Sequence, residues 1–211
     1  GQVLAQIGYT WQPFGGAGYF VLAALLVMVT VAAALLIILP LLKTPLGVQA
    51  RQLPPTLLYF GALGAGFMGV EIPLVQTFIL FVERPVYAFS VVVFGLLLFS
   101  GIGSWAARRL PLRATLGALV ALALIYPAAL RALIDAAIGW PMGARLTLAA
   151  LSLAPLGVAM GVPFPAGLRR LEQRTPALIA WAWAINGSLS VIASVGAAII
   201  ALSAGFTLVY L

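Results

Sequence analysis

Long apolar runs separated by short charged loops set the pattern of this chain almost from end to end. Six runs are read, at 18–42, 56–82, 86–107, 113–134, 145–168 and 177–203, and Phe206-Thr-Leu-Val-Tyr-Leu211 opens a further one. A helix needs about 20 apolar residues to cross a hydrocarbon core about 30 Å thick, so each of the six has the length of a span. Lipid offers the backbone no hydrogen-bond partners, whereas a helix satisfies its own. The pattern therefore predicts an all-α integral membrane protein, a polytopic bundle of about six transmembrane helices. Residues 1–17 read as a lead on the outer side and 18–211 as one transmembrane domain. Gly15-Gly-Ala-Gly18 has no strand before it, so it is no dinucleotide fingerprint and reads as a flexible approach to the first span.

Composition excludes most other classes. Hydrophobic residues make up 64% of the chain and charged residues 7%, with a mean hydropathy of +1.18. Such a chain cannot hide its apolar surface from water. Cysteine and histidine are both absent, which removes disulfides, thiolate and imidazole catalysis and the usual soft-metal sites. No catalytic residue, metal site or cofactor is read, and enzymatic activity is not expected of this chain alone. The first run is too long for a signal peptide and lacks a basic lead. The opening Gly1 and the fragmentary run at 206–211 read as a chain cut at both ends.

Basic residues set the orientation. With alternating spans, one side receives eight of them, Lys43, Arg51, Arg108, Arg109, Arg113, Arg169, Arg170 and Arg174, and the other three, Arg84, Arg131 and Arg145. Short loops rich in lysine and arginine stay in the cytoplasm. The loops carrying Arg108, Arg109, Arg113, Arg169 and Arg170 are thus the expected cytoplasmic basic loops of a multi-pass protein of the inner (plasma) membrane. The net charge of +7 fits this bias and anionic headgroups. Split among loops, the charge forms no patch for nucleic acid, and the bilayer is the expected partner.

Glu71 is the one acidic residue inside an apolar run. A carboxylate at that depth is costly and marks a pathway, a relay or a buried partner. Two residues on, Pro73 cannot donate to the Gly69 carbonyl, and a kink is expected beside the carboxylate. Either Glu71 is a neutral carboxyl bonded to a neighbour such as Asn186, or Glu71 and Asn186 mark a substrate or proton site. Asn186, Ser190 and Ser194 make a polar stripe in the last run. Rows of small residues, Gly61-Ala65-Gly69, Ser100-Ser104 and Gly157-Gly161, mark helix contacts. Trp105, Trp140, Trp181 and Trp183, with Tyr59, Tyr87 and Tyr126, read as an interfacial belt. Arg131 and Asp135 are spaced to pair, and Pro163-Phe-Pro165 is expected to end the fifth span.

The strings Gly-Phe-Met-Gly-Val-Glu-Ile-Pro-Leu-Val-Gln-Thr-Phe-Ile-Leu-Phe at 66–81, Tyr-Ala-Phe-Ser-Val-Val-Val-Phe-Gly-Leu-Leu-Leu-Phe-Ser-Gly-Ile-Gly-Ser at 87–104 and Met-Gly-Val-Pro-Phe-Pro-Ala-Gly-Leu-Arg-Arg at 160–170 resemble the C-terminal membrane region of bacterial multi-pass spermidine-synthase-like proteins. The lead Thr10-Trp-Gln-Pro-Phe-Gly-Gly-Ala-Gly-Tyr19 resembles the stretch after that family's soluble domain. The resemblance implies a methyltransferase-like soluble domain, or other membrane subunits, as partners. No residue here matches those that hold the aminopropyl donor or the polyamine. A weaker resemblance is to one half of a major facilitator transporter. It rests on Gly101-Ile-Gly-Ser-Trp-Ala-Ala-Arg-Arg109, where Trp105 replaces that family's aspartate and Ala106 a basic residue.

Three functions are consistent with this reading. The first is a transporter-like domain moving a small or cationic solute with Glu71 at its site. The second is a membrane anchor or assembly subunit whose polar residues specify packing. The third is the membrane portion of an aminopropyltransferase-like enzyme.

Overall fold

The computed structural model describes residues 13–35, 39, 43 and 51–204. Every regular element among them is helical: α1 (Pro13–Ala33), α2 (Leu53–Val82), α3 (Pro85–Ala106), α4 (Leu112–Ala137), α5 (Met142–Gly161), α6 (Pro163–Arg174) and α7 (Ile179–Ala204), with a 3₁₀ turn at Pro176–Leu178. Five segments are long and apolar enough to cross a membrane, α5 and α6 together counting as one. The chain is thus a multi-pass membrane protein, all-helical in the regular structure of its described residues. Residues 36–38 and 40–42 of the expected first span, the lead 1–12 and the run at 206–211 lie outside the described residues. Helix α1 already begins at Pro13, so Gly15, Gly16 and Gly18 belong to a helix rather than to a flexible lead.

Local sequence explains where the helices start and stop. Proline occupies the first turn of α2, α3 and α6, where its missing N–H has no intrahelical partner to lose. Helix α2 ends at Glu83, whose φ of 61° is left-handed and whose N–H donates to the Ile79 carbonyl. Glycine usually fills that position; here the residue's carboxylate meets Arg145 at 3.2 Å instead. Pro163 and Pro165 do not simply close the fifth span. The helix breaks at Val162, and Pro163 opens α6, an amphipathic helix. Helix α2 stays helical through Pro73.

Two parallel helix pairs form the core, α2 with α7 and α3 with α5. Their closeness comes from glycine. A Cβ on Gly64 would overlap the Asn186 carbonyl, one on Gly103 the Val158 carbonyl, and one on Gly161 the Ser100 carbonyl. Apolar surface gains little by leaving lipid, so such backbone approach supplies the packing energy. The expected row Gly157-Gly161 does face α3, and Gly61 faces Ile185 and Leu189 of α7. Gly69 instead faces open space, because steps of four residues rotate about 40° each around a helix and carry it off the contact line. The α2 contact row is Gly61 with Gly64, and on α3 Gly103 takes the place assigned to Ser104.

Helix ends confirm the alternation of spans. Arg145 Nη1, near the start of α5, donates to the Phe81 carbonyl at the end of α2 over 2.8 Å. Arg169 Nη2 of α6 donates to the Ala107 carbonyl just past the end of α3 over 2.6 Å. Each guanidinium sits at the negative end of a helix dipole, one at either end of the bundle. Arg145–Glu83 is the ion pair found among the described residues, and Arg131 with Asp135 forms none. The belt also needs correction. Trp105, Trp140, Trp183 and Tyr87 are exposed, but Trp181 is buried beside Phe60 and Leu178. Tyr59 and Tyr126 spend their hydroxyls inside the bundle, on the Pro163 and Ser152 carbonyls. Large apolar side chains cover the outside, with Leu124 77% exposed and Leu58 and Leu80 76%, a surface suited to lipid.

Candidate functional site

A cavity of about 630 Å³ opens between α2, α3, α4, α5 and α7. It exists because α4 packs unevenly. The second half of α4 joins the core through Leu130 and the Tyr126 hydroxyl, while the exposed Val120 and Ala123, together with Leu119 at the edge of the core, form one wall. Pro127 inside α4 removes the intrahelical donor for the Ala123 carbonyl on that wall. Glycines widen the space: Gly66 and Gly101 line it, and a Cβ on either would meet nothing within 4 Å.

The wall is apolar apart from four side chains, Ser100, Ser104, Asn186 and Ser190, and no ionisable side chain lines it. Asn186 Nδ2 donates to the Phe60 carbonyl over 3.0 Å, tying α7 to α2. The Ser190 hydroxyl donates to the Asn186 carbonyl, and the Ser100 hydroxyl to that of Leu97. The Ser104 hydroxyl makes no hydrogen bond among the described residues. These groups lie in the half of the bundle nearest the loops of Arg108, Arg109, Arg169 and Arg170.

At that end Phe164 and Pro165 floor the cavity. The floor is fastened. Phe164 stacks edge-on against Phe60 and Trp183, with centroids 5.2 and 4.6 Å apart. Tyr59 Oη donates to the Pro163 carbonyl over 2.8 Å, and Gly167 packs on the Tyr59 ring. The Pro-Phe-Pro segment, read from sequence as a span end, is part of the site. The signal available was a proline pair followed by the amphipathic Leu168–Glu172 stretch, which favours a second helix over a turn.

Glu71 is elsewhere. It is half-buried on α2 and does not line the cavity. Asn186 bonds at Phe60, eleven residues earlier, which is about 16 Å along the helix axis. The structure does not bring Glu71 and Asn186 together, and the Glu71 carboxyl makes no hydrogen bond or ion pair among the described residues. Of the other predicted positions, Pro73 is buried within α2, Arg169 holds the end of α3, and Arg109 lies over the Trp105 ring at 5.6 Å. Arg108, Arg113 and Arg170 stand at the same end of the bundle. Among the described residues no cluster of histidine, cysteine, aspartate or glutamate could hold a metal. No protein-family model, curated protein or solved structure matches the chain.

Proposed function

We infer that the chain is a transporter-like membrane domain and that the cavity between α2, α3, α4, α5 and α7 is its solute site. One observation carries this reading: a space of about 630 Å³, of the size that encloses small ligands, lies within spanning helices and includes polar groups in an apolar wall. A packing scaffold gains nothing from such a recess, since helices held apart forfeit contacts with one another. Two tightly locked pairs beside one loosely held helix also suit a domain that must move.

The cavity favours a solute other than a cation held at Glu71, because no carboxylate lines it. The resemblance to spermidine-synthase-like proteins adds a soluble methyltransferase-like domain as a proposed partner, and a bacterial inner membrane as the proposed location. An assembly role is the second reading. It is favoured by Glu71 itself, a half-buried carboxyl for which an intramembrane partner is expected.

The test is flux into vesicles carrying the purified full chain, compared with vesicles carrying Gly101→Leu. Gly101 lines the cavity and has open space around its Cβ position, so a leucine there reduces the space without a clash at its Cβ. Flux through the parent that is lost in the variant supports the transporter reading. Equal flux with and without protein sinks it.

A further inference from the structure

We propose that the cavity takes the acyl tail of an anionic amphiphile drawn sideways from the cytoplasmic leaflet, with its head group on the adjoining arginines. The proposal rests on the cavity being the solute site and names the class of solute.

The wall gives the first argument. Leu97 of α3 and Val120 of α4 both line the cavity, yet each is 62% exposed. Both lie well inside their helices, so the cavity opens through the side of the bundle into the hydrocarbon, not only at a membrane face. A solute using that opening must be soluble in lipid. Desolvating a charge there without a partner costs several kcal/mol, and the wall offers no ionisable partner. An acyl chain meets no such cost.

Depth and charge give the second. Ser104, on the wall, lies one turn before Arg108 and Arg109, and Phe164 and Pro165 of the floor lie in the helix that carries Arg169, Arg170 and Arg174. Glu172 is the lone acidic residue in these loops. Arg169 is already engaged with the Ala107 carbonyl, which leaves Arg108, Arg170 and the N–H edge of Arg109, whose face lies over Trp105, to meet a head group at the surface. Basic residues at that level attract anionic groups and repel ammonium groups. Tail and head thus have separate places, the tail among Phe67, Leu97 and Leu156 and the head above Ser104.

Photoactivatable palmitate, with hexadecylamine and hexadecanol bearing the same photoreactive tail, tests this on the full chain in detergent micelles. The carboxylate should label peptides containing Leu97, Val120 or Met160 in preference to the amine. Gly66→Leu and Gly101→Leu should each abolish that labelling, and Arg108→Gln and Arg109→Gln should each weaken it by about fivefold. Competition by phosphatidylglycerol and not by free palmitate would identify a bilayer lipid as the occupant; the reverse would identify a free fatty acid. Both support the proposal. Labelling unchanged in the two leucine variants would mean nonspecific surface lipid and overturn it, as would equal labelling by the amine. Failure of the transporter reading looks different: specific labelling persists, but vesicles carrying the chain move palmitate across the bilayer no faster than protein-free vesicles.

Discussion

Single residues divide into those whose role was visible in the chain and those whose role depended on a neighbour. Glu71 stood out because a carboxyl is rare in an apolar run, but rarity reports cost and not location, and the residue lies off the cavity. Glu71→Gln keeps shape and hydrogen-bonding capacity, and no described interaction depends on the charge. It is expected to leave both thermal stability in detergent and palmitate labelling unchanged. A large loss of flux in a well-expressed Glu71→Gln protein would move the solute site to that residue. Asn186 behaves oppositely. Its amide crosses from α7 to the Phe60 carbonyl, and hydrogen bonds between membrane helices contribute about 0.6 kcal/mol on average and up to about 1.7. Asn186→Leu should therefore lower the unfolding free energy by about 1 kcal/mol, measured by denaturant titration in mixed micelles. An unchanged midpoint would mean that the amide serves the cavity alone.

Among the elements, the sequence located helices well and their contacts poorly. Span limits such as 56–82 and 86–107 fall within a few residues of α2 and α3, because apolar length and proline position act locally. Contact faces did not follow, since they depend on which helix lies opposite. Gly69 and Gly103 make the point. Both are helical glycines, yet one faces open space and the other a carbonyl of α5. Gly103→Ala should cost about 1–3 kcal/mol by forcing α3 from α5, whereas Gly69→Ala should be neutral or stabilise by up to about 1 kcal/mol through reduced backbone freedom. Parallel denaturant titrations of the two variants decide this, and equal costs would remove the glycine lock as the reason for the α3–α5 contact. The junction at Val162 is another case. Proline marked a discontinuity in the chain, but only the packing of Phe164 between Phe60 and Trp183 made it a floor.

For the whole molecule, the asymmetry of basic loops predicts which end faces the cytoplasm, and the fold groups those loops consistently at one end. The cysteine-free sequence makes a direct check simple. In intact cells an impermeant maleimide should modify Arg84→Cys, and it should reach Arg108→Cys only after permeabilisation. The reverse pattern would invert the orientation and place the proposed head-group arginines in the other leaflet. Solvent, helical class, five of the six expected spans and loop charge were determined by the sequence itself, because burial in lipid, backbone satisfaction and charge placement act on each segment independently. The cavity was decided only by tertiary structure. It arises where α4 stands back from α2 and α3 while glycines pull α2 onto α7 and α3 onto α5, and a space between helices has no signature in any one of them.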